Sequence, residues 1–231
     1  MQFALTDEEE MIRDTARRIA ADRLAPLAEA LDRGEGRAEL LDNLRELARA
    51  GFMTLNVAAE HGGAEAGTVA FALAVEELGY ACASTAVAVS VTNMVGEVVQ
   101  AVGSPEQRRR HLPLLADGTY PAGAFCLTEG GAGSDPAGMR TRARRDGDGY
   151  VIDGEKLYIS SAEFAGLFVV WAVTDPEAPK GRGISVFLVE RGTPGLLIGK
   201  AERKMGQHGS PTNVVHFDGC RVPAGALMGR E

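Results

Sequence analysis

The sequence predicts an α+β fold: an all-α helical domain over residues 1–120, then an antiparallel β-barrel or sandwich domain over residues 121–231. Three observations carry this prediction. Apolar residues recur at helical spacing through the first half and in short strand-like runs from about residue 121. Two capping-box patterns, Thr6 with Glu9 and Ser104 with Gln107, stand where helices would begin. Gly, Pro and Asp punctuate the second half, and no helical run separates its strand-like stretches.

Taken in chain order, Thr6 and Glu9 each satisfy a free backbone N–H, and Ile12, Ala16, Ile19 and Ala20 continue at helical spacing. Leu40, Leu41, Leu44, Leu47 and Ala48 form a second stripe, closed by Gly51. TVAFALAVEELGY predicts a third helix with Gly79 as its stop. STAVAVSVTNMVGEVVQAVG (residues 84–103) is apolar on most faces, which predicts a buried helix. Its β-branched residues also suit a strand, but the run is long for one. Ser104, Pro105 and Gln107 open another helix, which Pro113 is expected to end or kink. AGAFCLT, MRTRARRD, YVIDGEKLYIS, LFVVWAVT, GISVFLVE and NVVHFDG then read as strands. The closing VPAGALMGRE does not read as a finished domain: it is either a loose tail or the approach to a following segment.

The chain has 231 residues, 45% of them apolar, enough for one large or two small domains with a sizeable core. With 24 basic against 32 acidic residues, its formal charge of −8 disfavours a nucleic-acid binder. The run Arg108–Arg110 reads as a solvated helix face. Cys82, Cys126 and Cys220 are far apart and lack C-x-x-C spacing, which suits reduced thiols and a cytoplasmic location. His61, His111, His208 and His216 show no ligand spacing, so no metal is expected. The start MQFALTDEEE is acidic and has no signal-type apolar region. The apolar stretches carry too many polar residues for a membrane span to be expected.

GAFCLTEGGAGSD, residues 123–135, is the stretch with functional character. An apolar run feeds Thr128 and Glu129; Gly130, Gly131 and Gly133 follow, then Ser134 and Asp135. The loop has neither the GxGxxG of a dinucleotide fold nor the GK[ST] of a P-loop, and the residues after it are hairpin-like. On the residues alone two readings stand. One is a tight turn. The other is an anion cradle, in which loop N–H groups point at phosphate where glycine frees the backbone.

CLTEGGAGSDPAG (residues 126–138) resembles the signature of the acyl-CoA dehydrogenase family. It has a small residue, an aliphatic one, Thr-Glu, two free positions, Ala-Gly-Ser-Asp, two free positions and Gly. GEKLYISSA (154–162) resembles the family's Gly-x-Lys-x-x-Ile-Thr-Asn strand, and KMGQHGSPTNVVHFDGCRVP (204–223) the end of its β domain. FALTDEEEMIRDTARRIAADRLAP resembles its first helix. The resemblance runs over nearly the whole chain but over only the first two of the family's three domains.

The resemblance implies FAD and α,β-dehydrogenation of an acyl-CoA. Phe125, Leu127 and Thr128 would lie along the flavin ring, with Gly133 and Ser134 at the FAD pyrophosphate and Ser134 also touching the acyl-CoA. Tyr158, Ile159 and Ser160 stand where the family commonly has Trp-Ile-Thr packed on the flavin, and Ser161 stands where Asn is usual. Val87, Ser90, Val91, Met94 and Val98 share one helix face and would line the acyl chain. Glu129 and Asp135 are expected to hold the turn. No catalytic residue is expected within the chain, because the family's base is a Glu on its C-terminal helical domain, beyond Glu231. An electron acceptor such as an electron-transfer flavoprotein, and a homodimer or homotetramer of the complete protein, are implied as partners. An acyl-carrier-protein dehydrogenase, an acyl-CoA oxidase, a flavin monooxygenase and a non-catalytic binding or assembly subunit are the alternatives.

Overall fold

The computed structural model describes residues 4–230; Met1–Phe3 of the opening stretch, and Glu231, lie outside the described residues. Among the described residues six α-helices precede the sheet: α1 (Asp7–Ile19), α2 (Ala25–Asp32), α3 (Arg37–Arg49), α4 (Gly67–Ala81), α5 (Ala83–Val102) and α6 (Pro105–Ala116). Both capping boxes form: Thr6 Oγ1 accepts from the Glu9 N–H at 3.2 Å, and Ser104 Oγ from the Gln107 N–H at 3.2 Å. A π-helical turn, Ala20–Leu24, joins α1 to α2 just before Pro26. The proline ring crowds the preceding turn and lacks an N–H, and the helix widens there rather than breaking. Of the two outcomes expected of Pro113, an end or a kink, the end does not occur; the helix runs on to Ala116, with Leu112 and Leu115 buried in the core.

α5 is helical throughout, and its two sides differ. Thr92, Asn93, Val95, Gly96 and Val99 are buried. The Asn93 amide donates to the carbonyls of Phe52 and Val89 and accepts from the Leu55 N–H, so a buried polar group is fully used and ties the segment after α3 to α5. By length and composition α5 is long and apolar enough to cross a membrane, contrary to the expectation from sequence, and half of that stretch is buried inside this fold.

Among the described residues eight strands follow: β1 (Gly123–Cys126), β2 (Arg142–Asp146), β3 (Gly149–Ser160), β4 (Leu167–Val173), β5 (Ile184–Glu190), β6 (Leu196–Ala201), β7 (Thr212–Pro223) and β8 (Leu227–Met228). They pair in the order β6-β7-β3-β2-β4-β5-β8, with β1 alongside β4. The pairing is antiparallel as expected, except where β1 and a single residue of β2 meet β4 in parallel. β1 is the strand that enters from the helical half, and it runs against α5: the Gly123 N–H donates to Thr92 Oγ1 at 3.1 Å. Val95 and Val99 of α5, Leu112 and Leu115 of α6, and Leu167, Val169 and Leu188 of the sheet form one shared apolar cluster. That cluster welds helices to sheet.

The α5–β1 contact leaves no room at Gly123, where a Cβ would lie 2.7 Å from the Val95 Cβ. Gly123→Ala is therefore expected to cost about 1–3 kcal/mol by overpacking. Urea unfolding should show a lower midpoint at unchanged slope; an unchanged midpoint would mean that α5 and β1 slide apart at no cost.

Candidate flavin and acyl site

β1 ends at Cys126, and Leu127 and Thr128 carry the chain out of the sheet half-buried. Phe125 sits against Trp171 of β4, their ring centres 4.3 Å apart. On the neighbouring β3 the pairing with β7 slips between Lys156 and Ile159, forming a bulge. The Leu157 N–H in that bulge donates to the Thr128 carbonyl at 2.8 Å, so the end of β1 and the bulge are stitched together. Tyr158 takes a left-handed backbone angle, φ +59°, and its side chain is 64% exposed. Left-handed φ is costly for an aromatic residue, and here it turns the ring out of the sheet. Ser161, also left-handed at φ +62°, closes the same turn with its hydroxyl buried and unpartnered.

One buried ion pair holds this arrangement. Lys156 is fully buried, and its Nζ donates to Glu129 Oε1 at 2.8 Å and to the Leu127 carbonyl at 3.1 Å. The Glu129 carboxylate also accepts the backbone N–H groups of Arg140 (2.6 Å) and Thr141 (3.0 Å), which closes the glycine-rich loop at its base. Burial alone would push the Glu129 carboxyl up, but the bonds from Lys156, Thr141 and Arg140 outweigh it and hold the group below the usual carboxylate range. Burial lowers the Lys156 ammonium, and Glu129 only partly offsets this. The Cys126 thiol beneath the site is buried and pushed up to about 12 by loss of water. Asp135 is ion-paired to Lys180 at the outer end of the loop.

Between these anchors the loop is exposed except at Ala132, which is buried. Gly131 and Gly133 have ordinary φ, and a Cβ on either would meet nothing within 4 Å. Packing within the chain therefore does not require glycine at either position; open space lies over both. Among the described residues, the N–H groups of Thr128, Gly133 and Ser134 have no protein acceptor. The hydroxyls of Thr128, Ser134, Tyr158 and Ser160 are likewise without a protein partner. Unspent donors, a ring turned outward and open glycine space fit a flat heteroaromatic ring with an attached phosphate.

Phe125, Leu127, Thr128 and Tyr158 are thus gathered where β1 leaves the sheet, while Gly133 and Ser134 lie on the exposed loop and bond to none of them. The Ile159 side chain points into the sheet core, 1% exposed, and offers no surface to a ligand. Val87, Ser90, Val91, Met94 and Val98 form the outward, partly exposed side of α5, and Met94 is 37% exposed. Two participants carry no role in the sequence reading: Lys156 and Trp171. An ammonium at an inward position of a strand was the signal for the first. The lone tryptophan in an apolar strand was the signal for the second.

Two family descriptions match the chain: "Acyl-CoA dehydrogenase, N-terminal domain" over residues 6–119 and "Acyl-CoA dehydrogenase, middle domain" over 124–220. Acryloyl-CoA reductase (NADH) of Anaerotignum propionicum is 39% identical over 234 aligned residues, covering 100% of this chain and 58% of that protein. The structure of butyryl-CoA dehydrogenase from Megasphaera elsdenii superposes with a TM-score of 0.91 at 31% identity, covering 100% of this chain and 61% of that one. An acyl-CoA dehydrogenase complexed with FAD, from Bacillus anthracis, gives a TM-score of 0.89 at 31% identity over 98% of this chain and 38% of its own.

The ion pair sets a stability test. Lys156→Met leaves the Glu129 carboxylate buried without its cation and should cost about 3–5 kcal/mol. The folded-state pKa of Glu129 is lowered, so its stabilising contribution is full above the usual carboxylate range and drains away as pH falls through the folded value. Urea midpoints measured down the acid limb should fall less steeply for Glu129→Gln than for the parent chain. Equal slopes would remove Glu129 from the acid response.

Proposed function

Because this chain belongs to the acyl-CoA dehydrogenase family and carries its N-terminal and middle domains, we propose that it binds FAD and serves the α,β-dehydrogenation of an acyl-CoA to the trans-2-enoyl-CoA. The observation that carries the proposal is the set of unspent donors at Thr128, Gly133 and Ser134, together with the exposed ring of Tyr158. Bound FAD supplies the two-electron acceptor for the β-hydride. The work of this chain is binding and alignment. Tyr158 covers one part of the ring system, and the Thr128 hydroxyl and N–H donate to its electron-rich edge. The N–H groups of Gly133 and Ser134 hold phosphate, and the Ser134 hydroxyl also holds the acyl-CoA. The outward face of α5 offers Val87, Val91, Met94 and Val98 to the acyl chain, with Ser90 among them.

In this reading the α-proton leaves to a carboxylate outside residues 1–231. Glu129, the carboxylate at the base of the loop, is committed to Lys156 and two backbone N–H groups. Electron transfer onward to an electron-transfer flavoprotein, and assembly into homodimers or homotetramers, belong to the same proposal.

Calorimetry with FAD tests it: saturable binding by the 231-residue chain is expected, and no heat up to millimolar FAD would sink the flavin reading for this chain. Ser134→Ala should weaken acyl-CoA binding and Thr128→Val should weaken FAD binding. A lost hydrogen bond to a charged group is worth about 1.5–3 kcal/mol, roughly ten- to a hundredfold in either constant. Unchanged constants in both variants would remove these two residues from the site.

A further inference from the structure

Lys156 lies at the root of the candidate site and presents none of its own atoms at the surface, being fully buried. Its Nζ donates to the Leu127 carbonyl at 3.1 Å and to Glu129 Oε1 at 2.8 Å, with Met139 Sδ 3.8 Å away. The Leu127 carbonyl belongs to the same planar peptide as the Thr128 N–H. In a trans peptide the two point in opposite directions, so the N–H emerges on the side away from the ammonium. That N–H has no protein acceptor among the described residues, whereas the next carbonyl, that of Thr128, is fixed by the Leu157 N–H at 2.8 Å. The Leu127–Thr128 peptide is therefore held at its oxygen, the peptide after it is held at its own oxygen, and the Thr128 N–H between the two is open. A cation bonded to an amide oxygen draws electron density across the C–N bond and strengthens the N–H as a donor, the more so where water is excluded.

We propose that Lys156 is a positioning residue that clamps and polarises the Leu127–Thr128 peptide, so that the Thr128 N–H becomes a strengthened donor to the flavin and favours its reduced, more electron-rich form. The proposal rests on the FAD reading above. Glu129 completes the device: it fixes the ammonium in one place, and it keeps the charge from being expelled from a buried position. Lys156 thereby acts on the flavin through a backbone amide, without touching it.

Three proteins test this: the parent chain, Lys156→Met, and the double variant Lys156→Met with Glu129→Gln, which removes both charges and spares the fold an unpaired carboxylate. The first readout needs no cofactor. In a heteronuclear NMR spectrum of the cofactor-free chain, the Thr128 amide proton should move upfield in the double variant while the amides of β5 stay in place. The second readout is the midpoint potential of bound FAD. Loss of the polarised donor should lower the preference for reduced over oxidised flavin by about three- to tenfold, the upper end being about 30 mV for a two-electron couple. A double variant that folds, binds FAD, and keeps both the Thr128 amide shift and the parent midpoint potential would reduce Lys156 to a structural clamp and overturn the proposal. A parent chain that binds no FAD while its Thr128 amide still responds to Lys156 would overturn the flavin reading, and with it the redox role, but leave the polarised peptide in place.

Discussion

The pairing of Lys156 with Glu129 is the constraint on which the candidate site depends. Neither residue would be tolerated alone where it lies: an isolated ammonium or carboxylate in that environment costs several kcal/mol. Together they join three separate pieces of chain. Lys156 stands on β3, Leu127 follows β1, and Glu129 reaches forward to the N–H groups of Arg140 and Thr141 ahead of β2. The glycine-rich loop between Glu129 and Arg140 is thus closed at its base by charge, and Gly131, Gly133 and Ser134 stay exposed along it. A loop rich in glycine gains a fixed geometry this way, while the N–H groups of Gly133 and Ser134 stay unspent.

The second organising feature is the two-sidedness of α5. Its inner side carries the contacts that bind helices to sheet: Thr92 to the Gly123 backbone, Val95 against Gly123, and Asn93 to the segment after α3. Its outer side is apolar and only partly covered. The position of β1, and through it of Leu127 and Thr128, is set by the inner side, so one helix both places the proposed flavin edge and offers the proposed acyl surface. A shift of α5 would move the two together and conserve their spacing.

Much of this was legible in the sequence, for definite reasons. The capping boxes at Thr6 and Ser104 are local and complete within four residues, and both form. The change of period near residue 121 marked the passage to strands. The short strands β6 and β8 escaped because Gly195 and Gly199 and the brevity of Leu227–Met228 blur the alternation. The π-helical turn before Pro26 and the continuation of α6 past Pro113 escaped because long-range packing decided them. In the candidate site, Thr128 and Ser134 stood out by motif. The role of Lys156 did not: its inward strand position was a signal, but its partners Leu127 and Glu129 lie on another segment, which local sequence does not bring to it. The resemblance put Ile159 on the flavin, but past the slip between Lys156 and Ile159 it lies in the sheet core.

The burial of Cys126 has a consequence for how the protein's motions are read. Its sulfur is wholly enclosed, and loss of water pushes its ionisation up to about 12. A thiol in that state is inert toward alkylating reagents and peroxide while the fold is closed. Labelling at Cys126 must therefore wait for β1 to part from its neighbours, and its rate counts those openings. The residue adjoining the proposed flavin edge doubles as a built-in clock for breathing of the joint between helices and sheet.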